Sequence, residues 1–230
     1  IYNLKKMPNT KSAIRRVRRV KKQTRVNRIR KSKYKNAIKK MDLLDRKKAI
    51  PTLIGDNKRF LIISGLAGPA KDIGFLTKES PNTFLFGGAM GGALPTSLGL
   101  ALSRPNDRVL CVSGDGDILM SMGCLATIAT IKPKNLIIIC VDNASYLETG
   151  GQTSHTGLGV NLDMIAKGCG FPITKTIVTE QELLEGKKIL DNFSGPAFIL
   201  LKVNKSSPPK YSRNWNASEE KSKFRKNLIN

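Results

Sequence analysis

Two groups of oxygen-bearing side chains stand at the ends of neighbouring apolar runs. Gly114-Asp115-Gly116-Asp117 closes one run and opens a helix-length segment, and Asp142-Asn143 closes the next. Side chains of this kind ligate hard cations. If the stretch between them is a crossover joining two parallel strands, Asp115 and Asn143 emerge side by side at one edge of a sheet. Two side-chain oxygens and a backbone carbonyl then converge. Magnesium takes few protein ligands and completes its octahedron with water and phosphate oxygens, so it is the cation such a set suits. The flanking glycines let the backbone come close, and the first amides of the following helix can receive a diphosphate. A tight strand-to-helix turn uses Gly and Asp for structural reasons alone, so the second element, Asn143, carries the weight. Neither common phosphate loop competes: the GxxxxGKS/T pattern is absent, and residues 114–120 lack the third glycine of GxGxxG.

Such groups need an alternating frame to hold them, and the pattern after Pro51 supplies one. Apolar runs predict strands over 59–64, 83–86, 108–112, 136–141, 174–177 and 197–203, and the segments between predict helices over 69–77, 94–103, 117–130, 162–169 and 180–192. The unbroken run Leu136-Ile137-Ile138-Ile139-Cys140-Val141 suits a strand covered on both faces. The expected fold class is therefore α/β, a doubly wound parallel sheet, preceded by a long basic helix. Ligands of such sheets lie beyond the carboxyl ends of the strands, which directs attention to the loops starting at Gly87, Ser113 and Asp142.

Gly114-Asp115-Gly116, followed after 26 intervening residues by Asn143, resembles the motif of thiamine-diphosphate enzymes. That resemblance implies thiamine diphosphate and Mg²⁺ as cofactors, with Asp115 and Asn143 holding the metal through side chains and Ser145 through its main-chain carbonyl. Gly114, Gly116, Asp117 and Asn143 would meet the diphosphate. The upstream run Phe86-Gly87-Gly88-Ala89-Met90-Gly91-Gly92 looks like the loop that receives the aminopyrimidine in these enzymes, with Gly88 and Ala89 supplying backbone and Met90 the wedge that bends the cofactor. The stretches Gly123-Cys124-Leu125-Ala126-Thr127, Lys132-Pro133-Lys134-Asn135 and Glu148-Thr149-Gly150-Gly151-Gln152-Thr153 narrow the likeness to the β-subunit of sulfopyruvate decarboxylase and the related phosphonopyruvate decarboxylases, over residues 58–203. It implies a carbon–carbon lyase that decarboxylates a small 2-oxo acid to an aldehyde.

In the family that is resembled, a glutamate on a separate pyrimidine-binding domain activates the cofactor, and no second α/β domain is legible in this chain. Glu148 follows the metal motif and belongs to the wrong half. The expectation is half an active site, inactive without a pyrimidine-binding α-subunit in a hetero-oligomer. His155, the single histidine, lies just past the motif in Gln152-Thr153-Ser154-His155-Thr156. It is a candidate proton donor or carboxylate contact, set against an ordinary loop histidine.

Charge divides the chain. Residues 1–48 hold 20 Lys and Arg against two acids, residues 49–203 hold 13 of each sign, and residues 204–230 hold seven basic and two acidic. Three parts are expected: a basic helical segment over 1–48, the α/β domain over 49–203 and a basic tail over 204–230. In the first, apolar residues recur at helical intervals between Met7 and Met41, and a basic rod of this kind tracks phosphates rather than stacking bases. The candidate RNA contacts are Lys11, Arg15, Arg16, Arg18, Arg19, Lys21, Lys22, Arg25, Arg28 and Arg30. The run Met7-Pro8-Asn9-Thr10-Lys11-Ser12-Ala13-Ile14-Arg15-Arg16, continued by Tyr34-Lys35-Asn36-Ala37-Ile38, resembles the amino-terminal half of bacterial small-subunit ribosomal protein S-twenty. That likeness implies rRNA as an alternative partner, and a ribosomal protein with a fused passenger domain, or a chimeric reading frame, as the alternative reading of the chain. The four cysteines form no CxxC pair and read as buried free thiols of a cytoplasmic protein. No apolar run reaches the length of a membrane span.

Overall fold

The computed structural model describes residues 43–192 and 195–229, together with Ser12, Arg15, Arg16, Arg19, Val20, Gln23 and Thr24. The chain divides into two compact units, Ile1–Asp42 and Leu43–Asn230. In the first, the described residues are helical and exposed, among them the candidate RNA contacts Arg15, Arg16 and Arg19. Lys11, Arg18, Lys21, Lys22, Arg25, Arg28 and Arg30, and most of the expected long helix, lie outside the described residues.

The second unit alternates strands and helices as the apolar pattern requires. Its helices are α1 (Arg46–Ile54), α2 (Gly68–Thr77), α3 (Ala93–Ser103), α4 (Asp115–Met120), α5 (Gly123–Ile131), α6 (Leu162–Cys169), α7 (Glu180–Asn192) and α8 (Ala217–Ile229). Its main strands are β1 (Leu61–Ser64), β2 (Thr83–Leu85), β3 (Val109–Gly114), β4 (Leu136–Asp142), β7 (Ile173–Ile177) and β8 (Ala197–Lys202), with a two-residue hairpin of β5 (Ser145–Tyr146) and β6 (Gln152–Thr153) between β4 and α6. The six main strands form one parallel sheet in the order β2-β1-β3-β4-β8-β7.

Strand residues alternate between two cores. Leu110, Val112, Ile137, Ile139, Ile199 and Leu201 face α1, α2 and α7, while Val109, Cys111, Ile138, Cys140, Phe198 and Leu200 face α3, α5 and α6. This is why β4 is apolar at both parities. The doubly wound expectation holds. The order also locates the switch point: the chain moves outward from β1 to β2, then returns past β1 to β3. The carboxyl ends of β1 and β3 thus diverge to opposite sides, and a crevice opens between their loops.

Several elements differ from expectation. The helix expected over 117–130 is two, because Ser121 leaves helical backbone (φ −118°, ψ 29°) and α5 begins afresh at Gly123. The break lets α4 present its first turn to the crevice while α5 packs its Leu125 and Ile128 into the core. The boundary expected between 48 and 49 falls inside α1. Pro51 reads as a breaker in sequence, yet it sits within α1, whose Ala49, Ile50, Leu53 and Ile54 are buried. Helix α8 lies in the stretch read as a tail, with Phe224 against Phe84 of β2 at a ring separation of 5.8 Å. Cys111 and Cys140 are buried free thiols, and Cys124 and Cys169 are free and half-buried. Among the described residues no helix is long and apolar enough to cross a membrane.

Candidate active site

A cavity of about 130 Å³ occupies the crevice at the switch point. Its walls are the turn after β1 (Leu66, Ala67, Gly68, Pro69), the start of α4 (Gly114 to Asp117), the end of β4 and its loop (Val141, Asn143, Ser145) and Met90 from the loop after β2. Of the residues that spacing and resemblance singled out, Met90, Gly114, Asp115, Gly116, Asp117, Asn143 and Ser145 all border this one space. Gly88 and Ala89 are exposed on the same loop as Met90 and do not line it.

Register explains the convergence. β3 and β4 pair Gly114 with Val141, so Asp115 and Asn143 leave the sheet at neighbouring strand ends. Asp115 opens α4 and is buried. Its Oδ2 accepts two hydroxyls, from Ser154 and, at 2.9 Å, from Thr156. Both land on the same oxygen, so Oδ1 is not committed to them. Burial, and secondarily the charge of Asp142, push the Asp115 carboxyl up to about 6. Asp142 is buried in turn and pairs with Lys202 across β4 and β8.

Asn143 accepts the Ser145 N–H at 2.9 Å through Oδ1, which closes a short turn over Ala144 and leaves that oxygen a second lone pair. The Ser145 hydroxyl donates to the Gly151 carbonyl at 2.9 Å within the β5–β6 hairpin. The Ser145 N–H and hydroxyl proton are thus both engaged within the turn and the hairpin. Asp117 differs. Its carboxylate accepts from the Ser113 hydroxyl and the Gly91 N–H, so it ties the loop after β2 to the start of α4. Gly65 is required beside it, since a Cβ there would strike Asp117 and Ser113. At Gly116 a Cβ would strike the Tyr146 ring.

His155 is exposed and does not border the cavity. Its neighbours Ser154 and Thr156 turn inward, and they are what sequence reasoning missed. The signal was there in the alternation Ser154-His155-Thr156, which places two hydroxyls on the face opposite the imidazole. Glu148 lines the cavity but is paired with Lys71 at 2.8 Å. Arg46, also unforeseen, borders the cavity and is held by Asp72.

The donor set fits the expected groups. One carboxylate oxygen, one amide oxygen and one carbonyl suit a magnesium ion that keeps water and phosphate ligands. Among the described residues no three His, Cys, Asp or Glu side chains cluster as a zinc-type cage would need. Gly114 to Asp117, which open α4, border the same cavity.

Residues 72–201 match the family described as thiamine pyrophosphate enzyme, C-terminal TPP binding domain. The chain belongs to this family. Over 153 residues it is 38% identical to the sulfopyruvate decarboxylase subunit beta of Methanocaldococcus jannaschii, a match covering 66% of this chain and 78% of that protein. Among solved structures, benzoylformate decarboxylase from Polynucleobacter necessarius superposes with a TM-score of 0.58 at 21% identity, over 73% of this chain and 34% of that one, which shows the shared fold. A separate stretch of 38 residues is 71% identical to small ribosomal subunit protein bS20 of Pelagibacter ubique and covers 16% of this chain and 44% of that protein.

Proposed function

We propose that the chain is the diphosphate-binding half of a thiamine-diphosphate- and Mg²⁺-dependent 2-oxo acid decarboxylase of the sulfopyruvate or phosphonopyruvate type, releasing CO₂ and an aldehyde. One observation carries the reading: Asp115, Asn143 and Ser145 border one crevice at the switch point together with Met90. When bound, the cofactor supplies a carbanion that adds to a 2-oxo acid and an electron sink for its carboxylate. The residues of this chain bind and orient. Asp115 and Asn143, with the Ser145 carbonyl, would hold the metal against the diphosphate. Asp117 fixes the distance between the metal turn and the loop that carries Gly88 and Met90.

The activating carboxylate is assigned to a partner. Among the described residues Glu148 is the one glutamate on the cavity wall, and it is paired with Lys71. Met90, Met120, Met122 and Leu147 are exposed, an apolar set that suits a docked pyrimidine-binding α-subunit better than water. The compartment that fits free thiols and a soluble substrate is the cytoplasm. The test is a titration of thiamine diphosphate with Mg²⁺ into the chain combined with such an α-subunit, followed by CO₂ release from sulfopyruvate and phosphonopyruvate. Wild type should bind and turn over, and Asp115→Ala should do neither; equal affinity in both sinks the reading.

A second reading concerns the amino-terminal segment alone and is favoured by the 71% identity over 38 residues. There the exposed Arg15, Arg16 and Arg19 would meet rRNA phosphates. Full-length chain with all three changed to Ala should lose affinity for small-subunit rRNA and show a shallower salt dependence. Absence of rRNA binding by the wild type removes this reading.

A further inference from the structure

The segment after β8 lies beyond the residues that match the family, yet it forms part of the crevice. Asn204 N–H donates to the Leu44 carbonyl at 2.9 Å. Pro208 then borders the cavity. The Tyr211 ring lies over α2 so closely that a Cβ at Gly74 would overlap it. Asn214 N–H reaches the Glu79 carboxylate at 3.1 Å. Between these two anchors, Arg213 donates from Nη1 to the Phe86 carbonyl at 2.6 Å and from Nη2 to the Leu85 carbonyl at 2.8 Å.

Those carbonyls belong to the last residue of edge strand β2 and the one after it, where the chain turns into the Gly87 to Gly92 loop. The guanidinium is wedged in place. Trp215 stacks on it at 4.6 Å from the ring centroid, and a Cβ at Gly87 would lie 3.3 Å from Nη2. Its Nε is buried with no hydrogen-bond partner, an unfavourable placement that the two carbonyl bonds must offset. At the far end, Asp117 accepts the Gly91 N–H and the Phe86 ring packs where a Cβ of Gly92 would come within 2.6 Å. Gly88, Ala89 and Met90 span the two fixed ends, exposed, and a Cβ at Gly88 would touch nothing within 4 Å. Their position is therefore set by the anchors.

We propose that residues 204–216 are a built-in strap of the cofactor site, and that Arg213 is a positioning residue which sets the Gly88 carbonyl and the Met90 side chain for the aminopyrimidine. The inference rests on the thiamine-diphosphate reading above. It requires a split between the two ends of the cofactor, because the strap anchors the pyrimidine loop while Asp115 and Asn143 stay where β3 and β4 put them.

The experiment uses the full chain combined with a pyrimidine-binding α-subunit, as wild type and with Arg213→Met or Arg213→Lys, titrated calorimetrically with thiamine diphosphate plus Mg²⁺ and, separately, with inorganic pyrophosphate plus Mg²⁺. Hydrogen exchange is followed across residues 86–92, β3 and β4 in the same samples. Arg213→Met should weaken thiamine diphosphate about tenfold, the scale of a charge-assisted hydrogen bond, with pyrophosphate affinity unchanged. Amides 87–90 should exchange faster while those of β3 and β4 do not. Lys, which can donate to one carbonyl, should recover part of the loss. Unchanged thiamine diphosphate affinity, unchanged loop exchange, or equal weakening of both ligands with a lower melting temperature each overturns the proposal. If the wild type binds neither ligand, the cofactor reading fails and the proposal falls with it; if it binds both and only the Arg213 variants are indifferent, the reading stands and the proposal alone is lost.

Discussion

Thr156 places its hydroxyl 2.9 Å from Oδ2 of Asp115, across 41 positions of sequence. The same oxygen stands 2.8 Å from Oδ1 of Asp142. A hydroxyl has one proton to give, so Thr156 sits between two buried carboxylates as the shared donor, with Ser154 giving its own proton to Asp115. The arrangement restrains the rotation of Asp115, which borders the crevice.

Thr156→Val keeps the shape and removes the hydroxyl, so its effect should fall on metal affinity rather than on folding. Loss of an outer contact to a metal ligand costs roughly 10- to 100-fold in affinity. The Mg²⁺ concentration needed for half-maximal thiamine diphosphate binding should rise by about that factor, and Thr156→Ser should restore most of it. An unchanged Mg²⁺ requirement in the Val variant would show that Asp115 holds its orientation without this hydroxyl.

Asp115→Asn tests the ligand itself. Burial already pushes this carboxyl up to about 6, so replacing it with a neutral group that still accepts the two hydroxyls removes a desolvated charge. The metal-free variant should melt no lower than wild type. Cofactor with Mg²⁺ should stabilise wild type by about 2.7 kcal/mol at a hundred times its dissociation constant and leave the variant where it was. A matching thermal shift in both proteins would remove Asp115 from the metal site.

These residues differ sharply in how readable they were. Asp115 and Asn143 are legible because each follows its own apolar run, and a parallel crossover converts that spacing into adjacency. The β4 run and the glycine loop are legible for the same local reason. Ser154, Thr156 and Lys202 are not, since their meeting with Asp115 and Asp142 depends on how the loop after β6 folds back and on the β4–β8 register. Helix α1 was hidden by Pro51, and the division of α4 from α5 by a single turn at Ser121. Arg213 reaches residues more than 120 positions earlier in the chain. A basic residue in a polar tail gives no local hint of that.

Tyr211 gives the strap a signature in alkali. Burial first, then its hydrogen bond to Glu79, push the phenol up to about 12 from an ordinary value of 10.0. The folded state therefore retains a proton that the unfolded chain releases, and stability falls as pH rises from about 10 to about 12. Below that window the contribution is fully present. Tyr211→Phe has no proton to lose, so its unfolding midpoint should decline less steeply across the same range. Parallel alkaline limbs for the two proteins, measured by urea unfolding at each pH, would place Tyr211 off the fold.

Arg46 and Asp72 join α1 to α2 through a pair whose side chains are each 2% exposed. The Arg46 Nε lies 3.1 Å from both carboxylate oxygens, and Nη2 closes the second arm. Burial is the largest influence on Asp72 and raises its pKa despite Arg46 beside it. Such a pair is costly to break and cheap to replace entire. Arg46→Met alone leaves a buried carboxylate without its partner and should lose about 3–5 kcal/mol in urea unfolding. Adding Asp72→Leu should recover most of that loss, because neither charge then has to leave water. The crowding at Gly68, where a Cβ would come within 2.6 Å of the guanidinium, predicts that Gly68→Ala destabilises the wild type and is tolerated in the double variant, where methionine can yield. If the double variant is as unstable as Arg46→Met, shape rather than charge pairing is what Arg46 contributes at this junction.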